Sequence, residues 1–440
     1  MILNLSKLKH NVLVRDTFIY TLTETFGKAI SFIMLPFLSF YLTPDDLGLA
    51  TNFTVLTNIT VLLAGSAMVN ALPYFYYEQN KYQRKAFVSN LLILCFAICL
   101  LLFLILVFFH SSFIAYLKLD YKTLLLAVPV TFTMLVQYTS VVLCRLEERP
   151  KKFALYQISY IVLHVLFMVL FVIILKLGGY GRIYADMIAF FLMFFFHIHR
   201  LIKSEYIEFK IKADYLRKLL KFGIPLLPHS LSFWLKGGAD KIIITNFCGL
   251  YQNGLYSMAL TMNSVYSLLS NALMNAYIPN LQKRLSMISE DKLEFEKRKI
   301  VRQNYFVVLI FSGVALLAIG GAWIILNYLV DSKYKDSFKF VPLLILGLWI
   351  YNLYNLSIQY IYKMKKTFIL GIITFTGSLI QVGLTWLFVR NMGVIGVVYS
   401  AVVGSILISI GVFIYSNMIY PMPWFYWFND RNKKTTELQS

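Results

Sequence analysis

Apolar runs separated by short polar stretches recur from one end of this 440-residue chain to the other. Segments of about 20 apolar residues are long enough to cross a hydrocarbon core of ~30 Å as helices. The pattern predicts twelve of them, near residues 17–41, 47–72, 87–109, 122–144, 153–175, 181–201, 222–246, 251–278, 304–329, 340–362, 367–389 and 394–418. The first run is too long for a cleavable signal and has no small-residue cleavage site, so it is expected to be retained as a helix.

Composition agrees with the pattern. Hydrophobic residues make up 59% of the chain and charged residues 14%, with a mean hydropathy of +0.69. No soluble domain of this size would tolerate such a balance on its surface, so the expected class is an all-α integral membrane protein. The net charge of +20 raises the question of a nucleic-acid partner. Placement of the basic residues answers it. The N-terminus, alternate loops after it and the C-terminal tail hold 30 Lys and Arg, the opposite loops 8. By the positive-inside rule both termini face the cytoplasm, and the basic excess is a topology signal with some attraction for anionic membrane lipid rather than a nucleic-acid footprint.

The chain repeats itself at fixed offsets. Adding 206 carries Gly48 onto Gly254 and Pro73 onto Pro279; adding 215 carries Lys151 onto Lys366, Phe153 onto Phe368, and Gly178, Gly181 and Tyr184 onto Gly393, Gly396 and Tyr399. The nine-residue difference fits a longer, charged loop around Glu290 to Lys299. Six helices per copy give both copies one orientation, as in transporters with parallel repeats and a cavity between them. The expected organisation is an N-terminal six-helix lobe with its cytoplasmic connection over residues 1–210, a second lobe over 211–418 and a cytoplasmic tail over 419–440. An old duplication whose interface is simply packed is the alternative. The outer loops are too short to build a domain.

Familiar catalytic chemistry is missing from the sequence. There is no phosphate-binding G-x-x-x-x-G-K-[ST], no nucleophile elbow and no metal-spaced His/Cys set, so neither cofactor nor metal is expected. Cys95, Cys99, Cys144 and Cys248 form no disulfide or ligand pattern and are expected as small core residues. His197 and His199, two apart at a helix end, point to different faces.

What the apolar runs do contain is charge. An ionisable side chain at mid-bilayer costs about 2.5 to 3.5 kcal/mol on insertion scales, so each calls for a partner or a role. The first run carries Glu24 and Lys28 on one face, and Lys28 lies about twelve residues, or ~18 Å, from the cytoplasmic end. The seventh carries Lys236 and Asp240 at the same spacing, with Gly237 and Gly238 loosening the helix and Lys241 beside them. Asp186 falls in the outer part of the sixth. Lys28, Lys236 and Lys241 are candidates to hold an anionic group such as a phosphate, and Glu24, Asp186 and Asp240 to balance these cations or carry protons. The competing expectation is two self-neutralising ion pairs, Glu24 with Lys28 and Lys236 with Asp240.

Polar stripes add to the inventory. The tenth run has Asn352, Asn355 and Gln359, with Tyr351 and Tyr354 nearby; the eighth has Ser257, Thr261, Ser264, Asn271 and Asn275. Amides and hydroxyls can replace water around sugar hydroxyls, and aromatic rings stack on sugars. Hydrogen bonding between helices explains such residues equally well.

The stretch FGIPLLPHSLSFWLKGGADKIIITNFCGLYQNGLYSMA, from Phe222, resembles the start of the second half of the O-antigen flippases (the Wzx family) and related polysaccharide transporters. LPFLSFYLTPDDLGLA, from Leu35, resembles the end of their first helix and the following turn. The resemblance spans nearly the whole chain. It implies the MATE-like fold of the multidrug/oligosaccharidyl-lipid/polysaccharide exporters and a role in the bacterial inner membrane. The implied cargo is an undecaprenyl-pyrophosphate-linked oligosaccharide moved to the outer leaflet, with an O-antigen polymerase and chain-length regulator as further partners. Cavity charges vary in that family, so the roles given to the lysines and carboxylates rest on position. A multidrug or cation antiporter of the same superfamily is the main alternative; a membrane glycosyl transferase would need catalytic residues that the outer loops do not offer.

Overall fold

A computed structural model describes residues 12–208, 210–287 and 293–425. Almost all of it is helical, with no strand among the described residues. The helices that matter here are α1 (Val12–Tyr41), α2 (Pro44–Val61), α3 (Lys81–Phe108), α4 (Tyr121–Leu146), α5 (Pro150–Met168), α6 (Gly178–Lys203), α7 (Ala213–Trp234), α8 (Asp240–Met287), α9 (Leu293–Ile324), α10 (Val341–Lys363), α11 (Thr367–Met392) and α12 (Val394–Ile419).

Among the described residues, nine helical stretches are long and apolar enough to span a membrane: those built on α2 to α6 and on α9 to α12. The protein is a multi-pass membrane protein. The remaining expected spans, the first, seventh and eighth, fall on α1, α7 and α8. The seventh, expected as one helix over 222–246, is interrupted by a π turn at Leu235–Ala239. The eighth continues from it in the same long α8, bent at Gly249, whose φ of 89° only glycine adopts without strain.

Local sequence explains the helix starts. Thr43 caps α2 reciprocally with Asp46: the Thr43 hydroxyl accepts from the Asp46 amide, and the Asp46 carboxylate accepts from the Thr43 amide at 2.9 Å. Pro44 takes the first helical position, where its missing N–H costs nothing. Asn80 and Gln83 do the same for α3. Asp120 caps α4 through the amides of Lys122 and Thr123. Partial burial works against its charge, but the hydrogen bonds from Thr123 and Tyr180 prevail and hold the carboxyl below the usual carboxylate range.

The chain forms two compact units, Met1–Ser257 with Asn327–Lys335, and Met258–Leu326 with Asp336–Ser440. Residues 211–257 belong to the first of these units, where α7 lies against α3 and the short helix Ala67–Val69. In that unit α4 is the hub, packed on α2, α3 and α6, with Phe87, Leu91, Leu124 and Leu135 wholly enclosed. Cys95, Cys99 and Cys144 are buried in it, as small core residues should be. His197 is buried and His199 exposed, so the two do face different ways. In the second unit α12 packs along α10 and α11.

The repeated glycines have matching structures. Gly178 and Gly393 have φ of 57° and 60°. A Cβ on Gly181 would lie 2.8 Å from the Phe171 carbonyl oxygen, and one on Gly396 would lie 2.4 Å from that of Phe388. Gly48 and Gly254 do more than correspond; they touch. A Cβ on Gly48 would sit 2.2 Å from the carbonyl oxygen of Leu250, and one on Gly254 would sit 1.8 Å from that of Pro44. Pro44 and Leu250 are themselves related by the offset of 206. The contact is therefore reciprocal, as at a local two-fold axis, and the two backbones cross with no room for side chains.

Candidate functional site

The π turn that follows α7 has its origin in composition. Pro225 and Pro228 remove amide donors from the helix, and the Lys236-Gly237-Gly238 sequence supplies the slack for the π turn. Gly238 is also where the indole of Trp234 folds back, since a Cβ there would come within 2.8 Å of its Nε1. That nitrogen donates to the Val55 carbonyl of α2 at 3.3 Å. Between these elements lies a cleft of about 440 Å³. Asn58 and Ser66 line it from one side; Ser230, Trp234 and Lys241 line it from the other, with Gly237 and Gly238 as its floor. The volume suits a small molecule or a headgroup. One ammonium, one amide and two hydroxyls in a low-dielectric wall make a site for an anion that also carries hydroxyls.

Each expected site residue has a definite place. Lys241 lines the cleft, and Lys236 sits half-buried in the turn that forms it. Asp240, between them in sequence, is 1% exposed and accepts a long 3.5 Å hydrogen bond from the Tyr256 hydroxyl. Lys28 is on α1, and its side chain lies outside the described residues. Glu24, expected on one face with Lys28, is paired with Arg145 at the end of α4. The planar fork of a guanidinium suits a carboxylate well.

Asp186 is paired too, with His164 Nε2 of α5 at 2.8 Å. Asn352 donates to the Tyr266 hydroxyl at 3.0 Å. Gln359 accepts from Gln282 at 2.9 Å and donates to the Asn355 carbonyl at 3.0 Å. Along this stripe the structure brings together hydrogen-bond partners on different helices, the arrangement weighed against ligand contact. Tyr351 and Tyr354 stack on each other with ring centroids 5.2 Å apart. On α8, Ser264 bonds to the Thr261 carbonyl and Asn271 to Ser267.

Sequence reasoning missed Asn58, Ser66, Trp234 and His164 as site or partner residues. Only Trp234 had a signal within reach, since it stands two residues before Lys236. It also missed a sealed polar cluster beside the glycine crossing. There Asn52 Oδ1 accepts from Thr245 at 3.1 Å and from Asn253 at 2.9 Å, while Asn52 donates to the Leu117 carbonyl at 2.8 Å. Asn52 and Asn253 are wholly buried.

Comparison with known proteins agrees with this architecture. The sequence profile of the family described as "Polysaccharide biosynthesis protein" matches residues 37–338. Protein 1 of the Lsg locus of Haemophilus influenzae is 25% identical over 227 residues, which cover 48% of this chain and 53% of that protein. The chain thus matches about half the length of that curated relative. Among solved structures, the lipid II flippase MurJ in an inward closed conformation superposes with a TM-score of 0.70 at 16% identity, covering 90% of this chain and 87% of MurJ. A multidrug resistance MATE family transporter of the MOP superfamily, in its inward-facing conformation, gives 0.69 at 16% identity, covering 89% of this chain and 94% of that one. At such identities the superpositions establish the fold alone. With the family profile matching well over half of its residues, the chain belongs to the polysaccharide biosynthesis protein family and has the fold of MATE and MurJ transporters.

Proposed function

We propose that this protein is a flippase that carries an undecaprenyl-pyrophosphate-linked oligosaccharide, an O-antigen repeat unit, across the bacterial inner membrane by alternating access. It would do so with twelve transmembrane helices in two parallel six-helix lobes, residues 1–210 and 211–418, and with both termini in the cytoplasm. The observation that carries this reading is the cleft at the π turn, where Lys241 is grouped with Asn58, Ser66, Ser230 and Trp234. A pyrophosphate cannot cross hydrocarbon unaided. Here a lysine offers it charge, while the amide, hydroxyls and indole suit the first sugar. Lys236 and Lys28 serve the same anion, and Glu24, Asp186 and Asp240 balance or couple. An organic cation would meet the wrong sign of charge in this cleft, which disfavours the antiporter alternative.

The test is to deplete the protein and assay lipid-linked oligosaccharides by mass and by leaflet. Accumulation of a complete unit on the cytoplasmic leaflet is expected; normal amounts on the outer leaflet, with no backup transporter, would sink the proposal. Lys236→Ala should abolish export while the protein still reaches the membrane, and Lys236→Arg should retain part of it. Full export by the alanine variant would remove Lys236 from the site.

A further inference from the structure

The expected spans carry three carboxylates, Glu24, Asp186 and Asp240, and their partners differ in kind. Glu24 faces Arg145, which stays charged at any physiological pH. Asp240 is sealed, 1% exposed, with the Tyr256 hydroxyl against it. Asp186 faces an imidazole: His164 Nε2 stands 2.8 Å from its carboxylate, with side-chain exposures of 22% for His164 and 27% for Asp186. Histidine is the side chain that ordinarily changes charge between about pH 5 and 8. An intramembrane acid paired with histidine, rather than with arginine or lysine, can take up and give back a proton, as in the relays of membrane pumps.

We infer that the His164–Asp186 pair between α5 and α6 is a proton-binding site, and that the ion coupled to transport is H⁺. This deepens the flippase reading and rests on it for the word transport, though not for the site. The surroundings fit. The Tyr160 ring stacks on His164 at 5.9 Å, nearly parallel, and packs against Phe190 at 4.7 Å. The pair is therefore walled by aromatic surface on one side, with the facing imidazole nitrogen enclosed and part of each side chain exposed. The elements packed on α5 carry further charges. On α6 itself Arg182 stands one turn before Asp186, and His197, His199, Arg200 and Lys203 lie towards its other end, with Arg200 held by Glu147. α1 carries Arg15 and Asp16, paired with each other, Glu24, held by Arg145 of α4, and Lys28. The π turn Val169–Ile174 contributes none. On α2, which packs on α6, the acidic groups are Asp45 and Asp46 in the first turn, where Asp46 accepts from the Gly179 amide at 2.7 Å. One imidazole and one carboxylate are groups that exchange a proton, and two side chains are fewer than the three or more protein ligands of a usual metal site.

The decisive variant is His164→Gln with Asp186→Asn, a pair that can still hydrogen-bond across the two helices but cannot titrate. In the first arm, purified full-length protein is stepped from pH 8 to pH 5 and the protons taken up are counted. Wild type should bind about one more proton per chain than the double variant; equal uptake overturns the site, whatever the cargo. In the second arm, surface polysaccharide is measured in cells with and without a protonophore at fixed sodium. Wild-type export should collapse with the protonophore, and the double variant, at normal abundance, should export at least tenfold less. Export equal to wild type means the pair is only a staple between helices and overturns the coupling role. A proton difference in a protein whose depletion leaves lipid-linked oligosaccharides unchanged would retain the site and discard the cargo.

Discussion

Glycine does opposite work in two regions of the first unit. At the crossing of α2 with the middle of α8, Gly48 and Gly254 let two backbones meet so closely that a single methyl group would strike a carbonyl oxygen. At the π turn, Gly237 has nothing within 4 Å of where its Cβ would be. The first region is closed and backed by the wholly buried Asn52 and Asn253; the second is an open cleft with a cation on its wall. Absence of a side chain removes an obstacle to packing in one place and an obstacle to bending in the other. The same residue type thus marks what must stay shut and what must stay loose.

Substitutions can break this contrast. The largest effect is expected for Gly254→Val, whose Cβ would overlap the Pro44 carbonyl at 1.8 Å. Overpacking against backbone cannot be relieved by a rotamer change, so a loss above about 3 kcal/mol is expected. It would be read as loss of monodisperse folded protein in fluorescence-detected gel filtration. Lys241→Ala should leave that profile unchanged and remove most of the export, because a half-buried charge on a cleft wall contributes little to packing. A variant that exports normally would take Lys241 out of the site.

A smaller effect on stability is expected from Asn253→Ala. It leaves Asn52 with one donor fewer in a sealed environment and should cost about 1 to 3 kcal/mol in a thermal-unfolding series. The smallest is Gly237→Ala. With open space around it, the methyl group should be neutral or stabilising by up to about 1 kcal/mol through helix propensity. Its influence on export rate, if any, would come from stiffening the turn. Should Gly237→Ala destabilise as much as Gly254→Val, the contrast between the two regions would be lost.

Much of the fold was legible in the sequence because the bilayer imposes it. A span must be long and apolar, and glycines required by close approach recur at the repeat offset; both signals survive without any knowledge of partners. The stretch Lys236 to Lys241 stood out for a similar reason, since charge is conspicuous in an apolar run, and its Gly237, Gly238 and Lys241 line the cleft. Partners were harder. Arg145 looked like a loop residue, yet it turns back to Glu24 across 121 positions. His164 carries no formal charge in a count at pH 7 and so vanished into its apolar run. Asn352 and Gln359 read equally well as sugar contacts or as hydrogen bonds between helices, and only the positions of Tyr266 and Gln282 give them partners. Neutral polar residues have no long-range field, and what they bind is decided by three-dimensional adjacency.

The reciprocal glycine contact bears on how such a chain can change over time. Two copies of one unit that meet through the same residues form, inside a single polypeptide, the isologous interface of a symmetric homodimer. In a homodimer one substitution alters both sides together and preserves the match. Within one chain each side mutates alone, and a lengthened residue at position 48 meets an unaltered carbonyl at 250. The two glycines are thereby bound to each other as a pair, while the rest of each copy is at liberty to diverge.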